Sequence, residues 1–149
     1  KHPISVMVGN LLQREDQVGM NTVEYYSGFQ EKTDKVKGDI IAFLLEARSK
    51  CKTVAAYGAA AKGNTLLNYA RIRPDLISFV VDRNPAKQGK FMPGSRIPIV
   101  DEGRLKEAKP NYVVILPWNL RAEVMQQLEY IKPWGGKFVT AVPRLEVMS

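Results

Sequence analysis

One cysteine and one histidine are all that this 149-residue chain holds of the side chains most used for metal binding and nucleophilic catalysis. With Cys51 alone, no disulfide closes within the chain, and so sparing a use of cysteine fits a reducing, cytoplasmic setting. His2 stands among the opening residues. No Cys/His cluster therefore has zinc spacing, and no sequence signal pairs a histidine base with a cysteine or serine nucleophile. The G-x-S-x-G elbow of hydrolases does not occur, and the carboxylates are scattered without a convincing acid/base pair. No apolar run approaches the length of about 18 residues that spans a membrane, and the start carries no signal-peptide pattern. Like charges form no long block and aromatics are not interleaved with basic residues, which argues against nucleic acid as a partner. By its residues alone the chain reads as a binding module rather than a complete enzyme.

What is present is ordinary for a globular domain: 45% hydrophobic and 25% charged residues. The length fits one domain, or a domain with an arm. The formal net charge of +7 favours an anionic ligand or a more acidic partner domain. A chain that opens on Lys1 rather than Met is expected to be a piece of a longer protein.

Residues 1–21 read as an arm from an upstream region. Within it Ile4-Ser5-Val6-Met7-Val8 half-alternates like a strand, and Leu11 to Thr22 shows no clear period. Residues 22–149 read as the domain proper. Phe29, Thr33, Val36, Ile40, Leu44 and Ala47 recur at helical spacing, which predicts a long helix between Thr22 and Cys51. Strands are then predicted over Val54–Tyr57, Leu76–Asp82, Ile97–Val100, Tyr112–Leu116 and Lys137–Val142, with helices between them. Pro98 marks an edge strand, and Asp101 and Asn119 are placed to cap the helices that follow them. The expected fold is α/β and Rossmann-like: a mainly parallel sheet of about five strands with flanking helices, preceded by the long N-terminal helix.

The stretch with most chemistry joins the first strand of that sheet to its helix. Gly58, Ala60 and Gly63 occupy the three positions of G-x-G-x-x-G, with Ala59, Ala61 and Lys62 between them and Asn64 following. A small-residue turn lets backbone N–H groups approach a phosphate, and the helix N-terminus adds partial positive charge. Ala60 puts a methyl where dinucleotide folds leave room for a pyrophosphate, and Asn64 stands where a P-loop has its lysine. The turn is thus either an anion site of another kind, with Lys62 as its charge, or a tight strand–helix packing turn. Asp82, 19 positions beyond Gly63, is placed to hold a ribose or to start the turn Asp82-Arg83-Asn84-Pro85. In the loop that opens on Asn84, the side chains of Lys87, Gln88 and Lys90 either bind anionic oxygen or are solvated. Trp118 and Asn119 close the strongest strand, where α/β sheets bind ligands; the alternatives are a packed ring and a helix cap.

Taken together these segments resemble the C-terminal domain of bacterial S-adenosylmethionine-dependent sugar C-methyltransferases. The resemblance rests on Tyr57-Gly58-Ala59-Ala60-Ala61-Lys62-Gly63-Asn64-Thr65-Leu66-Leu67-Asn68, on Val81-Asp82-Arg83-Asn84-Pro85-Ala86-Lys87-Gln88-Gly89 with Pro93-Gly94 and Ile97-Pro98-Ile99, and on Ile115-Leu116-Pro117-Trp118-Asn119 with Gly135-Gly136-Lys137-Phe138. It runs from about Val23 to Pro143. The resemblance implies a larger enzyme with a zinc-binding N-terminal region and a central S-adenosylmethionine domain. That enzyme methylates a carbon of a nucleotide-linked deoxyketosugar, held between the central and C-terminal domains. On this reading Gly58, Ala59, Ala60, Ala61, Lys62, Gly63 and Asn64 of the turn, Asp82, Asn84, Lys87 and Gln88 of the next loop, and Trp118 and Asn119 are the candidates to contact the nucleotide sugar, the fragment alone is inactive, and its partner is the upstream domain. Two other readings stay open: a NAD- or coenzyme A-binding domain of an oxidoreductase or regulator, and a structural domain whose long helix makes interdomain or homodimer contacts.

Overall fold

The computed structural model describes residues 5–149. The chain divides into two compact units, Lys1–Lys35 and Val36–Ser149.

In the first unit, helix α1 spans Val6–Gln17, where a strand and an aperiodic stretch were expected. Ile4 and His2 lie outside the described residues. The strand reading rested on a short alternation. Val8, Leu11 and Leu12 are spaced three and four apart, which is the helical period. A helix also satisfies its own backbone hydrogen bonds, whereas a strand needs a neighbour. The chain then turns at Gly19 (φ +77°), forms a short 3₁₀ turn over Glu24–Tyr26, and enters α2, Phe29–Ser49.

In the second unit, α2 buries Ile40, Leu44 and Ala47, the last three members of the expected stripe. It closes with Cys51 at φ +53° and the Lys52 N–H donating to the Ala47 carbonyl at 2.8 Å, which satisfies a terminal acceptor. Six strands follow: β1 Val54–Tyr57, β2 Val80–Val81, β3 Ile99–Val100, β4 Tyr112–Ile115, β5 Lys137–Thr140 and β6 Glu146–Met148. Their order is β3-β2-β1-β4-β5-β6. All neighbours are parallel except the antiparallel pair β5–β6. With α3 (Ala61–Tyr69), α4 (Gly103–Ala108) and α5 (Arg121–Gln127), this is the Rossmann-like α/β domain the sequence predicts, with one antiparallel strand more.

The strand expected over Leu76–Asp82 shrinks to two residues. The Arg73 turn runs on, with the Leu76 and Ile77 N–H groups both donating to the Arg73 carbonyl (3.0 and 3.2 Å), so Ile77 is buried without being a strand residue. Short β3 is an edge, as Pro98 implied. The loop before it covers that edge, with Ile99 N–H donating to Lys90 O and Gly89 N–H to Ile99 O. One core cluster joins α2 and α3 to Ala56, Val80 and Val114; the other joins α4 and α5 to Ala55, Val113 and Phe138. Helices thus flank both faces of the sheet. Among the described residues no helix is long and apolar enough to cross a membrane.

Candidate functional site

β1 and β4 lie side by side at the centre of the sheet, yet the chain leaves β1 into α3 on one face and β4 towards α5 on the other. That reversal makes the carboxyl ends of the two strands the switch point of the sheet, where open α/β folds form their ligand crevice. The glycine turn follows β1, the Asp82 loop follows β2 and Pro117-Trp118-Asn119 follows β4. All three segments therefore meet at one edge.

The glycines of the turn are demanded by packing. Gly58 has φ +93°, and a Cβ there would lie 2.5 Å from Pro117 Cδ. A Cβ on Gly63 would lie 2.6 Å from Leu116 Cβ. Both contacts join the turn after β1 to the end of β4, so the two strands' loops are fixed against each other. Ala60 occupies the position before α3 in an extended conformation (φ −124°, ψ 163°) and no side chain caps the helix. The Ala61, Lys62 and Gly63 amides of the first turn have no hydrogen-bond partner among the described residues and head the helix with its partial positive charge. Asn64 Oδ1 is enclosed without a hydrogen-bond partner.

Lys62 reaches across the crevice. Its Nζ donates to Asn119 Oδ1 at 2.6 Å and lies 5.4 Å from the centre of the Trp118 ring. The expected cap therefore does not form. Leu120 precedes α5, no side chain caps the helix, and the Asn119 carboxamide faces Lys62 instead. An ammonium ion offers a stronger, charge-assisted donor than a helix amide.

Asp82 is the hub of the second loop. Its Oδ2 accepts from the Ala59 N–H at 2.8 Å and from Lys87 Nζ at 3.1 Å, while Oδ1 accepts from the Asn84 N–H at 2.8 Å. Lys87 Nζ also donates to the Ala59 carbonyl at 2.8 Å, and Gln88 Nε2 to the Asp82 carbonyl at 2.9 Å. Asn84 Oδ1 accepts from the Ala86 N–H, closing the Asn-Pro turn. Of the residues predicted to contact a ligand, Asp82, Asn84, Lys87 and Gln88 are thus engaged in tying the β2 loop to Ala59. Lys62, Trp118 and Asn119 stand at the crevice itself.

A neighbouring network was not foreseen. Gln127 Oε1 accepts from the Tyr57 hydroxyl (3.2 Å) and from Arg83 Nη1 (3.3 Å), and Arg83 Nε lies 3.7 Å from Glu102 Oε2. Burial pushes the Tyr57 phenol above its ordinary value, so it remains a neutral donor. These residues come from β1, the β2 loop, the start of α4 and α5, and no local pattern links positions so far apart.

Residues 1–143 match the family model of the C-methyltransferase C-terminal domain. The chain belongs to this family. It is 32% identical over 148 residues to C-methyltransferase NovU of Streptomyces niveus, covering 99% of this chain and 35% of that protein. The chain thus spans about a third of the length of this curated relative. At the end of β2, where dinucleotide folds hold a ribose, the Asp82 carboxylate already accepts from two backbone amides and Lys87. Among the described residues no three His, Cys, Asp or Glu side chains are grouped to hold a metal ion.

Proposed function

We propose that the domain forms one wall of the substrate site of an S-adenosylmethionine-dependent C-methyltransferase acting on a nucleotide-linked ketodeoxysugar. The observation that carries this reading is the Lys62–Asn119 bond across the β1/β4 crevice. It gathers a cation, a carboxamide and the Trp118 ring at the sheet edge that binds ligands.

Each group has a task suited to such a substrate. The open amides of Ala61, Lys62 and Gly63 and the Lys62 ammonium suit a phosphate of the nucleotide diphosphate. Ala60 narrows the turn, so the phosphate rests at the helix end rather than against the turn's middle residue. Trp118 offers a flat apolar face to a base or sugar ring, and Asn119 offers both a donor and an acceptor to hydroxyls. Tying Asp82 to Ala59 holds the turn in shape before ligand arrives, which lowers the ordering cost of binding. The unit that carries the crevice, residues 36–149, has eighteen basic against ten acidic residues, so it attracts the anion. S-adenosylmethionine supplies the electrophilic methyl group, and zinc belongs to the same larger enzyme. Both are assigned to the upstream part of the polypeptide, together with the base that removes the proton beside the ketone. The work of this domain is to seat and orient the sugar nucleotide.

The test is made in the full-length enzyme with Lys62→Ala and Asn119→Ala. The expected result is a KM for the nucleotide sugar raised at least about tenfold in each, with kcat changed far less, the mark of lost ground-state binding. An unchanged KM in both variants overturns the site. Stabilisation of the domain by NAD or coenzyme A, with none from nucleotide sugars, replaces the reading with a coenzyme-binding one.

A further inference from the structure

Eleven of the sixteen exposed large hydrophobic side chains among the described residues fall between Val6 and Phe29. Val6 and Met7 are each 80% exposed and Val23 is 82% exposed. Helix α1 buries none of its residues, and no described residue up to Lys35 is buried. Yet the segment is built. The Tyr26 hydroxyl donates to the Met20 carbonyl at 2.8 Å, Asn21 Nδ2 to Asp16 Oδ1 at 2.6 Å, and the Thr22 hydroxyl to the Gly19 carbonyl at 2.9 Å. These bonds fold the bend beside α1 and leave a groove of about 570 Å³ between Leu12, Met20 and Tyr26.

A twelve-residue helix with glycine at its fourth position is marginal in water by itself and is held by burying an apolar face. Met7, Val8, Leu11 and Leu12 present such a face, three and four residues apart. Monomers seldom leave apolar patches of this kind uncovered. Charge points to the class of partner. Residues 1–35 hold four basic and five acidic side chains, against eighteen and ten in residues 36–149. The positive field that suits an anionic substrate is absent from the apolar segment, which instead has the composition of a protein interface.

We propose that the apolar face of α1 and the bend after it is the docking surface for the preceding, methyl-donor-binding part of the same polypeptide. The family is defined as a C-terminal domain, and the relative has about two-thirds of its length beyond the match. A tethered partner meets this surface at an effective concentration in the millimolar range, so a small area suffices. A free second copy needs roughly 1,200–2,000 Å² of buried surface, and α1 is a rod only about 18 Å long. The inference rests on the methyltransferase reading above, but its readout does not use methyl transfer.

The experiment is amide hydrogen exchange on residues 6–17, compared between the 149-residue chain and the full-length polypeptide at equal concentration. Exchange at least tenfold slower in the longer protein is expected. The double variant Leu11→Glu/Leu12→Glu should abolish that protection, while Leu45→Glu, at an exposed apolar position of α2, leaves it intact. Equal exchange in the two proteins overturns the proposal. So does slowing that arises in the 149-residue chain alone as its concentration is raised, because that assigns the face to a second copy. The substrate-site reading fails separately, by an unchanged KM in the Lys62 and Asn119 variants.

Discussion

The two units put nearly the same kinds of residue to opposite use. In Val36–Ser149 the apolar side chains are inside: Ile40, Ala55, Val113 and Phe138 are each fully buried on one face or the other of the sheet. In Lys1–Lys35 the described apolar side chains stay largely on the surface, and backbone and side-chain hydrogen bonds give the segment its shape. The helix Phe29–Ser49 begins in one and ends in the other, so one hydrophobic stripe is divided between the two regimes. Hydrophobic spacing specifies which residues share a face. Whether that face is buried depends on what the rest of the chain supplies to cover it.

The strongest test of this contrast uses that stripe. Ile40 is fully buried, so Ile40→Ala should cost about 3 kcal/mol of folding stability through lost burial and a residual cavity. Phe29 is 63% exposed, and Phe29→Ala should stay within about 0.5 kcal/mol in the 149-residue chain. Urea unfolding of the two variants reads the difference directly. Equal costs would break the comparison, because they would place both ends of the stripe in one core.

Glycines give the next largest contrast. At Gly63 an added Cβ meets Leu116 Cβ at 2.6 Å, so Gly63→Val should destabilise by about 2 kcal/mol or more through overpacking between α3 and β4. Gly9 sits inside α1 with nothing within 4 Å of the added atom. Gly9→Ala should instead stabilise α1 by roughly 0.5–1 kcal/mol, by restricting the unfolded chain. Thermal unfolding for the first and helical circular dichroism for the second check the opposite signs. A loss of helix in Gly9→Ala would mean that this position is covered after all.

The parts legible in the sequence were those governed by local rules. β1 and β4 are continuous apolar runs, as strands buried on both faces must be, and the small-residue turn announced the start of α3. The α2 period is legible over Ile40, Leu44 and Ala47, which the helix buries. What escaped was decided by distant partners. Asn119 looks like a cap until Lys62, 57 residues earlier, offers a charged donor. Nothing local to Asp82 shows that it also ties the β2 loop to Ala59, 23 residues earlier. Leu76 and Ile77 look like strand, but the turn at Arg73 keeps their amides. In α1 five residues of half-alternation say less than the helical spacing that continues past them. β6 was missed because three residues carry almost no period; cross-strand pairing and ion pairs make that strand.

That last strand gives the smallest and most local prediction, and it separates edge from centre within the larger unit. Glu146 accepts from Arg144 Nε at 2.7 Å and from Arg121 Nη1 at 2.8 Å. The Arg144 guanidinium, assisted by Arg121 at the start of α5, holds the Glu146 carboxyl below its ordinary value of 4.5. A carboxyl depressed in the folded state stabilises wherever it is ionised in both states. Its contribution is complete above the ordinary value and is lost as pH falls through the lower folded one. Between pH 7 and pH 5 the edge should therefore be unchanged. Below about pH 4.5 the amides of Glu146–Met148 should lose exchange protection before those of the central β1–β4 pair, which owe nothing to a carboxylate. In Glu146→Gln that acid-dependent step should disappear. Simultaneous loss across all six strands would show instead that β6 belongs to the same cooperative unit as the centre of the sheet.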